Sequence, residues 1–352
     1  MKSSDTVFIL GSGFSRAFSD AMPTVAELTD RLRDISLFHE SPYDGLLDNP
    51  ELLLSYLDLA QPWKAPEEIL RDRAVFVEAQ NALAETIEDS EAQAFESLVP
   101  EWAASLVRYL CRRRATVITL NYDTVIERCV ALLKDGQEKG TWPREFDLYG
   151  LPLSPLRSRS AGTLGRAPIK SFQLVKLHGS INWFYSGVDG FPGEHIYYRN
   201  VTSDSPRSDD WGRGTPSSDA QIRQLEMDKI PLIIPPVAEK SRFYSNRTVQ
   251  AVWALAREAL ADAQQVILIG YSLPSTDLTM TLFLRSVACP ASVIIVNKPQ
   301  EESQGRQPIL DRYREAFPKS VIDSQTFVCE NSVQKMTEHL LDDGLASPSL
   351  SG

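Results

Sequence analysis

Short, unbroken apolar runs punctuate the chain, and each stops at a glycine or a polar residue. TVFIL (6–10) stops at Gly11, ATVITL (115–120) at Asn121, QVILI (265–269) at Gly270 and SVIIV (292–296) at Asn297, while FQLVKL (172–177), interrupted by Gln173 and Lys176, stops at His178. A continuous β-branched run offers water no polar face, so each predicts a strand covered on both sides, as in a parallel sheet. PLII (231–234) predicts a further short strand. Between these runs the apolar spacing becomes that of amphipathic helices. Val25, Leu28, Leu32 and Ile35 share a helical face. So do Ile69, Phe76, Leu83 and Ile87 after Pro66, and Trp102, Leu106 and Leu110 after Pro100,. Helices are also predicted after Asp123, over 246–264, and around 309–317 before Pro318.

Strands that alternate with helices predict an α/β fold, a Rossmann-like doubly wound parallel sheet. Residues 1–342 are read as one domain, and 24–113 are too long for a single crossover, so they predict a mostly helical insertion within it. Residues 185–230 predict a loop-rich insertion. Within it, 201–222 is rich in Ser, Asp, Pro and Gly and suits a lid or a disordered loop,. The stretch 150–170 also reads as a loop, and 343–352 as a disordered tail,.

Composition narrows the partners. The formal net charge of -11 disfavours direct binding to a phosphate backbone,. Cys111, Cys129, Cys289 and Cys329 form no C-x-x-C pair, so no zinc module and no metal site is expected, and sparse unpatterned cysteine suggests a reducing compartment,. No stretch is apolar enough to span a bilayer and the first apolar run reads as a strand, so a cytoplasmic protein without membrane contact is expected,.

Doubly wound sheets bind ligands at the carboxyl ends of their strands, which is where the polar stops fall. GSGFSRAF (11–18) carries Gly11 and Gly13 in a strand-to-helix turn, a phosphate-cradling geometry, although Arg16 stands where a third glycine is usual; a plain turn reads equally well,. In TLNYD (119–123), Asn121 can orient a ribose hydroxyl or a water, while Asp123 either reaches the ligand or caps the next helix,. In KLHGSINW (176–183), His178 is suited to take a proton, or is a hydrogen-bonded strand-end histidine,. In GYSLPSTD (270–277), Gly270 and Ser272 lie at a strand end, with Thr276 or Asp277 as a helix cap, and Asn297 in IIVNKP (294–299) is placed to read a ribose,.

Taken in order, GSGFSRA, TLNYD, KLHGS, GYSLP and IIVN resemble the sirtuin superfamily, and more closely its bacterial antiphage-defence branch of NAD hydrolases. The resemblance runs from about Val7 to Asn297 and implies NAD as substrate, with no metal. It implies that Gly11, Ser12, Gly13, Ser15 and Arg16 lie near the phosphates, with Phe14 in the same motif. It further implies that Asn121 and Asp123 face the nicotinamide ribose beside Tyr122, that His178 is the catalytic histidine, and that Gly270, Tyr271, Ser272 and Asn297 hold the adenosine half. Sirtuin deacylases usually carry paired zinc cysteines and a Gln before the Asn; this chain has neither, with Leu120 at the second position. Hydrolysis is therefore expected ahead of protein deacylation or ADP-ribosyl transfer, and ahead of NAD sensing without cleavage. Because unchecked NAD loss is toxic, the resemblance also implies a homo-oligomer and a separate activating subunit such as a HerA-type ATPase or a prokaryotic Argonaute.

Overall fold

The computed structural model describes residues 5–24, 27–28, 31, 43–46, 50–134, 142–151, 153–155, 171–187, 193–199, 201, 229–235, 237, 240–274, 277–299, 309–323 and 327–346. Strands β1 (Thr6–Leu10), β2 (Thr116–Thr119), β4 (Gln173–Lys176), β8 (Gln265–Ile269), β9 (Ser292–Val296) and β10 (Val321–Asp323) form one sheet in the order β10-β9-β8-β1-β2-β4. Every pairing in it is parallel. Numbered along this sheet alone, the order is 6-5-4-1-2-3, that of a dinucleotide-type doubly wound sheet, and its switch point lies between β1 and β8,. The expected Rossmann-like α/β architecture is what is found.

The unbroken apolar runs are explained by burial on both faces. Phe8, Ile9, Val117, Ile118, Val266 and Ile267 are all buried. Helices α1 (Ser12–Phe18), α2 (Pro50–Asp58), α3 (Pro66–Ala94) and α4 (Glu101–Arg113) separate β1 from β2, and α5 (Val125–Leu132) follows β2. Helices α6 (Arg247–Asp262), α7 (Leu278–Val287) and α8 (Ile309–Ala316) lie between the later strands, and α9 (Ser332–Ala346) closes the chain. Pro66 opens α3 and Pro100 precedes α4, where a missing N–H costs nothing,. Helix α9 runs into the stretch read as a disordered tail, because residues 343–346 are still helical; 347–352 lie outside the described residues. So do 202–222, all of 156–170, Thr276, and Val25, Leu32 and Ile35 of the first predicted helical face.

A second, four-stranded sheet is absent from the sequence reading. It has the order β3-β6-β5-β7, built from β3 (Ser154–Pro155), β5 (Gly179–Tyr185), β6 (Tyr197–Tyr198) and β7 (Ile230–Ile233). Strand β5 is GSINWFY; its polar–apolar alternation is short, Ser180 to Trp183, and the strand is buried along its whole length, Ser180 and Asn182 included,. It pairs antiparallel with β7, with a register shift between Ser180 and Phe184. Gln80 of α3 donates to the Ile233 carbonyl (2.8 Å), which fastens the helical stretch to this sheet. Two residues, Leu177 and His178, lead from β4 of the first sheet into β5 of the second. Gly179 has φ +81°, and a side chain there would overlap the Leu232 carbonyl, so the chain turns from β4 into β5 directly behind His178.

Candidate functional site

Register brings the polar stops to one edge. Leu10 lies opposite both Thr119 and Ile269, Thr119 opposite Lys176, and Ile269 opposite Val296. Gly11, Asn121, His178, Gly270 and Asn297 therefore emerge together at the carboxyl edge of the parallel sheet.

At the switch point the backbone groups satisfy one another. The Gly11 N–H donates to the Ile269 carbonyl and the Gly13 N–H to the Gly270 carbonyl, both at 2.9 Å. A Cβ on Gly11 would lie 2.7 Å from the Gly270 oxygen, and one on Gly13 2.7 Å from the Gly270 Cα. Gly270 itself has φ +64° and abuts Gly13 and Phe14. The glycines let two chain turns touch. The Phe14 N–H donates to the Gly11 carbonyl (2.9 Å), and its ring packs edge-on to Trp102 with centroids 5.9 Å apart. Phe14 is thus turned into the core. Ser12 is half-buried at the start of α1. The Arg16 guanidinium donates to the Asp20 and Met22 carbonyls (2.9 and 3.1 Å) and pairs with Glu27 (3.3 Å). It lines a cleft of about 750 Å³ together with Glu27, Thr86, Ser90 and Gln93.

The β8 loop is tightly held. Tyr271 donates through its hydroxyl to Asp277 Oδ2 (2.8 Å), and its carbonyl accepts from Asn297 Nδ2 (3.1 Å) and from the Tyr313 hydroxyl. Leu273 is buried at φ 46°, a left-handed conformation unusual for a branched residue, and strain of this kind collects at binding loops,. Ser272 lies half-buried between Tyr271 and Leu273. The side chain of Asp277 caps α7 by accepting from the Met280 N–H (3.4 Å).

At the ends of β2 and β4 the side chains carry the chemistry. Asn121 Nδ2 donates to the Gly11 carbonyl and to Ser15 Oγ, both at 3.0 Å. The Ser15 hydroxyl donates to Asp123 Oδ2 (2.6 Å), and Asp123 Oδ1 accepts from the N–H of Val125 (3.2 Å), the first residue of α5, whose N-cap position is held by Thr124. Burial raises the Asp123 carboxyl above its usual range, with the Lys176 ammonium working against the rise. Tyr122 donates to the Ile234 carbonyl (2.7 Å), which closes one wall.

His178 is buried, and its Nε2 has no hydrogen-bond partner among the described residues. Desolvation by burial, then the nearby Lys240 ammonium, lower its pKa to about 4; Asp277 and a hydrogen bond to the Leu120 backbone oppose them. With Nε2 unpartnered, the Leu120 bond falls to Nδ1. The ring is then neutral at ordinary pH, with Nε2 a bare acceptor.

Two residues beside His178 escaped the sequence reading as site residues. Lys240 pairs with Asp277 at 3.5 Å, and both side chains are largely buried. Lys240 lies 62 positions after His178 in a segment without periodicity, so no local signal marks it. Asp277 was legible only as a cap. Lys176 is the third. Its ammonium is buried between Glu127 (3.0 Å) and the Asp123 carbonyl, inside what reads as a plain strand. Among the described residues no group of His, Cys, Asp and Glu could hold a metal ion, and no helix is long and apolar enough to cross a membrane.

No protein-family description and no curated protein matches this sequence. Solved structures do. The chain is similar to a mutant Sir2 homologue in complex with ADP-ribose (12% identity, 99% of this chain and 95% of that one, TM-score 0.41). It is similar to Sir2 with the inhibitor EX-527, 2'-O-acetyl-ADP-ribose and deacetylated p53 peptide (15%, 97% and 94%, 0.38). It is also similar to a Sir2–p53 peptide–NAD+ complex (15%, 97% and 94%, 0.37). At TM-scores this low the likeness decides nothing about the site, and function is read from this chain's own residues.

Proposed function

We propose that this protein hydrolyses NAD at the nicotinamide–ribose bond, giving nicotinamide and ADP-ribose. The observation that supports it most is His178: a buried, neutral imidazole with an unpartnered Nε2, next to Asn121 at the carboxyl edge of a 6-5-4-1-2-3 parallel sheet. Breaking the glycosidic bond leaves an electron-poor ribose carbon, and nicotinamide departs with the bonding pair. A water oxygen attacks that carbon and loses one proton. Nε2 of His178 is the acceptor for that proton, directly or through a ribose hydroxyl. Asn121 orients the water and the ribose. Gly11, Gly13 and Gly270 shape the crevice for the rest of the dinucleotide.

Constant hydrolysis would drain a cell of NAD. The enzyme is therefore proposed to be an antiphage effector, acting as a homo-oligomer when a separate subunit, a HerA-type ATPase or an Argonaute, triggers it.

Incubation of the purified chain with NAD, alone and with its native partner, tests the reading by chromatography of the products. Nicotinamide and ADP-ribose in equal amounts without an acyl-lysine peptide are expected. Release of nicotinamide only when such a peptide is present would move the assignment to a deacylase. Binding of NAD with no turnover, partner included, would leave a sensing module.

A further inference from the structure

Hydrogen-bond bookkeeping around Asn121 leaves one arrangement of protons. The Gly11 carbonyl has only lone pairs, so the Asn121 atom 3.0 Å from it must be the donor, Nδ2,. The second proton of that NH2 goes to Ser15 Oγ, also at 3.0 Å. Ser15 therefore accepts from Asn121, and its single proton is left for Asp123 Oδ2 at 2.6 Å. Asp123 Oδ1 is occupied as well, by the Val125 N–H. Both Asp123 oxygens are acceptors, as in the carboxylate form. The Asp123 main chain is fixed in turn, since its carbonyl receives the buried Lys176 ammonium, which Glu127 also holds at 3.0 Å. Asn121 Oδ1 is the one atom of that amide not taken up by these bonds.

We infer that Ser15 and Asp123 are positioning residues, which fix the Asn121 amide with its oxygen rather than its nitrogen offered to the ligand. This rests on the proposed hydrolase reading and deepens it. An amide oxygen accepts from the proton of a water or a ribose hydroxyl and aims that oxygen's lone pair outward; an amide nitrogen would do the reverse. The inference also gives Ser15 a different part from the phosphate contact that the sequence resemblance implies. Ser15 is 1% exposed, its single proton goes to Asp123, and one of its lone pairs accepts from Asn121, so it has no proton left for a phosphate,.

The test separates positioning from binding. Ser15→Ala and Asp123→Asn are each expected to lower kcat by about tenfold or more, as loss of one orienting hydrogen bond does, with KM for NAD within about twofold. Asp123→Asn keeps the shape but puts a donor where two acceptors are needed. A rise in KM at unchanged kcat in Ser15→Ala would instead make Ser15 a substrate contact and overturn the inference. A second readout needs no turnover. In protein labelled with 15N-asparagine, the Asn121 side-chain NH2 pair is identified by its loss in Asn121→Asp. Both its protons are expected to exchange slowly with solvent in the native chain and at least about tenfold faster in Ser15→Ala. Equal exchange in the two would sink the positioning role. If the native chain cleaves no NAD, the hydrolase reading fails, while the exchange measurement still decides this one.

Discussion

The two halves of the sheet's carboxyl edge are built on different principles. At β1, β8 and β9 the turns are made by close backbone approach. Gly11, Gly13 and Gly270 touch, their main-chain groups bond one another, and Tyr271 and Asn297 tie off what remains. At β2 and β4 the turns are made by side chains, and one buried nitrogen, Nε2 of His178, finds no partner among the described residues. A polar atom withheld from both water and protein is costly unless a ligand satisfies it. The first half shapes a crevice; the second is set up for chemistry.

The sharpest way to break this contrast is to remove the unpartnered nitrogen. His178→Ala and Asn121→Ala are expected to lower kcat for NAD cleavage by roughly 10²–10⁴-fold; the urea midpoint stays within error or rises in His178→Ala, whereas Asn121→Ala also loses its two buried hydrogen bonds and about 1–3 kcal/mol of stability,. Retained activity in both would refute the assignment. The reverse behaviour is expected across the edge. Gly270→Ala forces a side chain into a left-handed residue against Gly13 and Phe14, and should destabilise by about 2–4 kcal/mol, read from the denaturation midpoint, with kcat of the folded fraction little changed,.

A smaller effect follows from protonation. His178 has its pKa lowered to about 4 in the folded chain, against an ordinary value of about 6.5, so between those values the unfolded chain binds the extra proton,. Its contribution to stability is intact above pH ~6.5, falls as pH drops towards 4, and amounts to roughly 3 kcal/mol over that window. Glu91, buried and raised to about 7 chiefly by desolvation, titrates in the opposite sense, losing stability as pH rises from the ordinary carboxylate range through 7. The measurement is therefore the difference between the native chain and His178→Gln in urea midpoint at pH 7 and pH 4.5; a difference that does not change with pH would count against a neutral buried imidazole. The smallest effect is expected at Asn297→Ala, which removes one bond to the Tyr271 carbonyl: about 1 kcal/mol of stability and a KM shift of a few-fold, with kcat nearly unchanged,.

Much of this edge is legible in the chain itself. Runs such as QVILI and SVIIV must be buried on both faces because they offer no polar side, and a glycine or asparagine after each marks where the strand ends,. Local periodicity fails where burial is complete and the neighbours are distant. GSINWFY alternates over only four residues, Ser180 to Trp183, too few to mark β5 and the second sheet, and Val321–Asp323 is too short to register as a strand. Gly11 and Gly13 were visible as turn residues, but not that the backbone they admit is that of Gly270.

Alone, then, the sequence determined the strand runs, their polar stops, and hence which residues meet at the carboxyl edge, because strand burial is written in consecutive residues. Only the tertiary structure decided what each of those residues touches. It turned Phe14 into the core, gave Arg16 to Glu27, and brought Lys240 and Asp277 to His178. It also ordered Ser15 between Asn121 and Asp123, more than a hundred residues away. Hydrogen-bond partners and charge neighbours are set by register and packing across the chain, and no window of adjacent residues contains them.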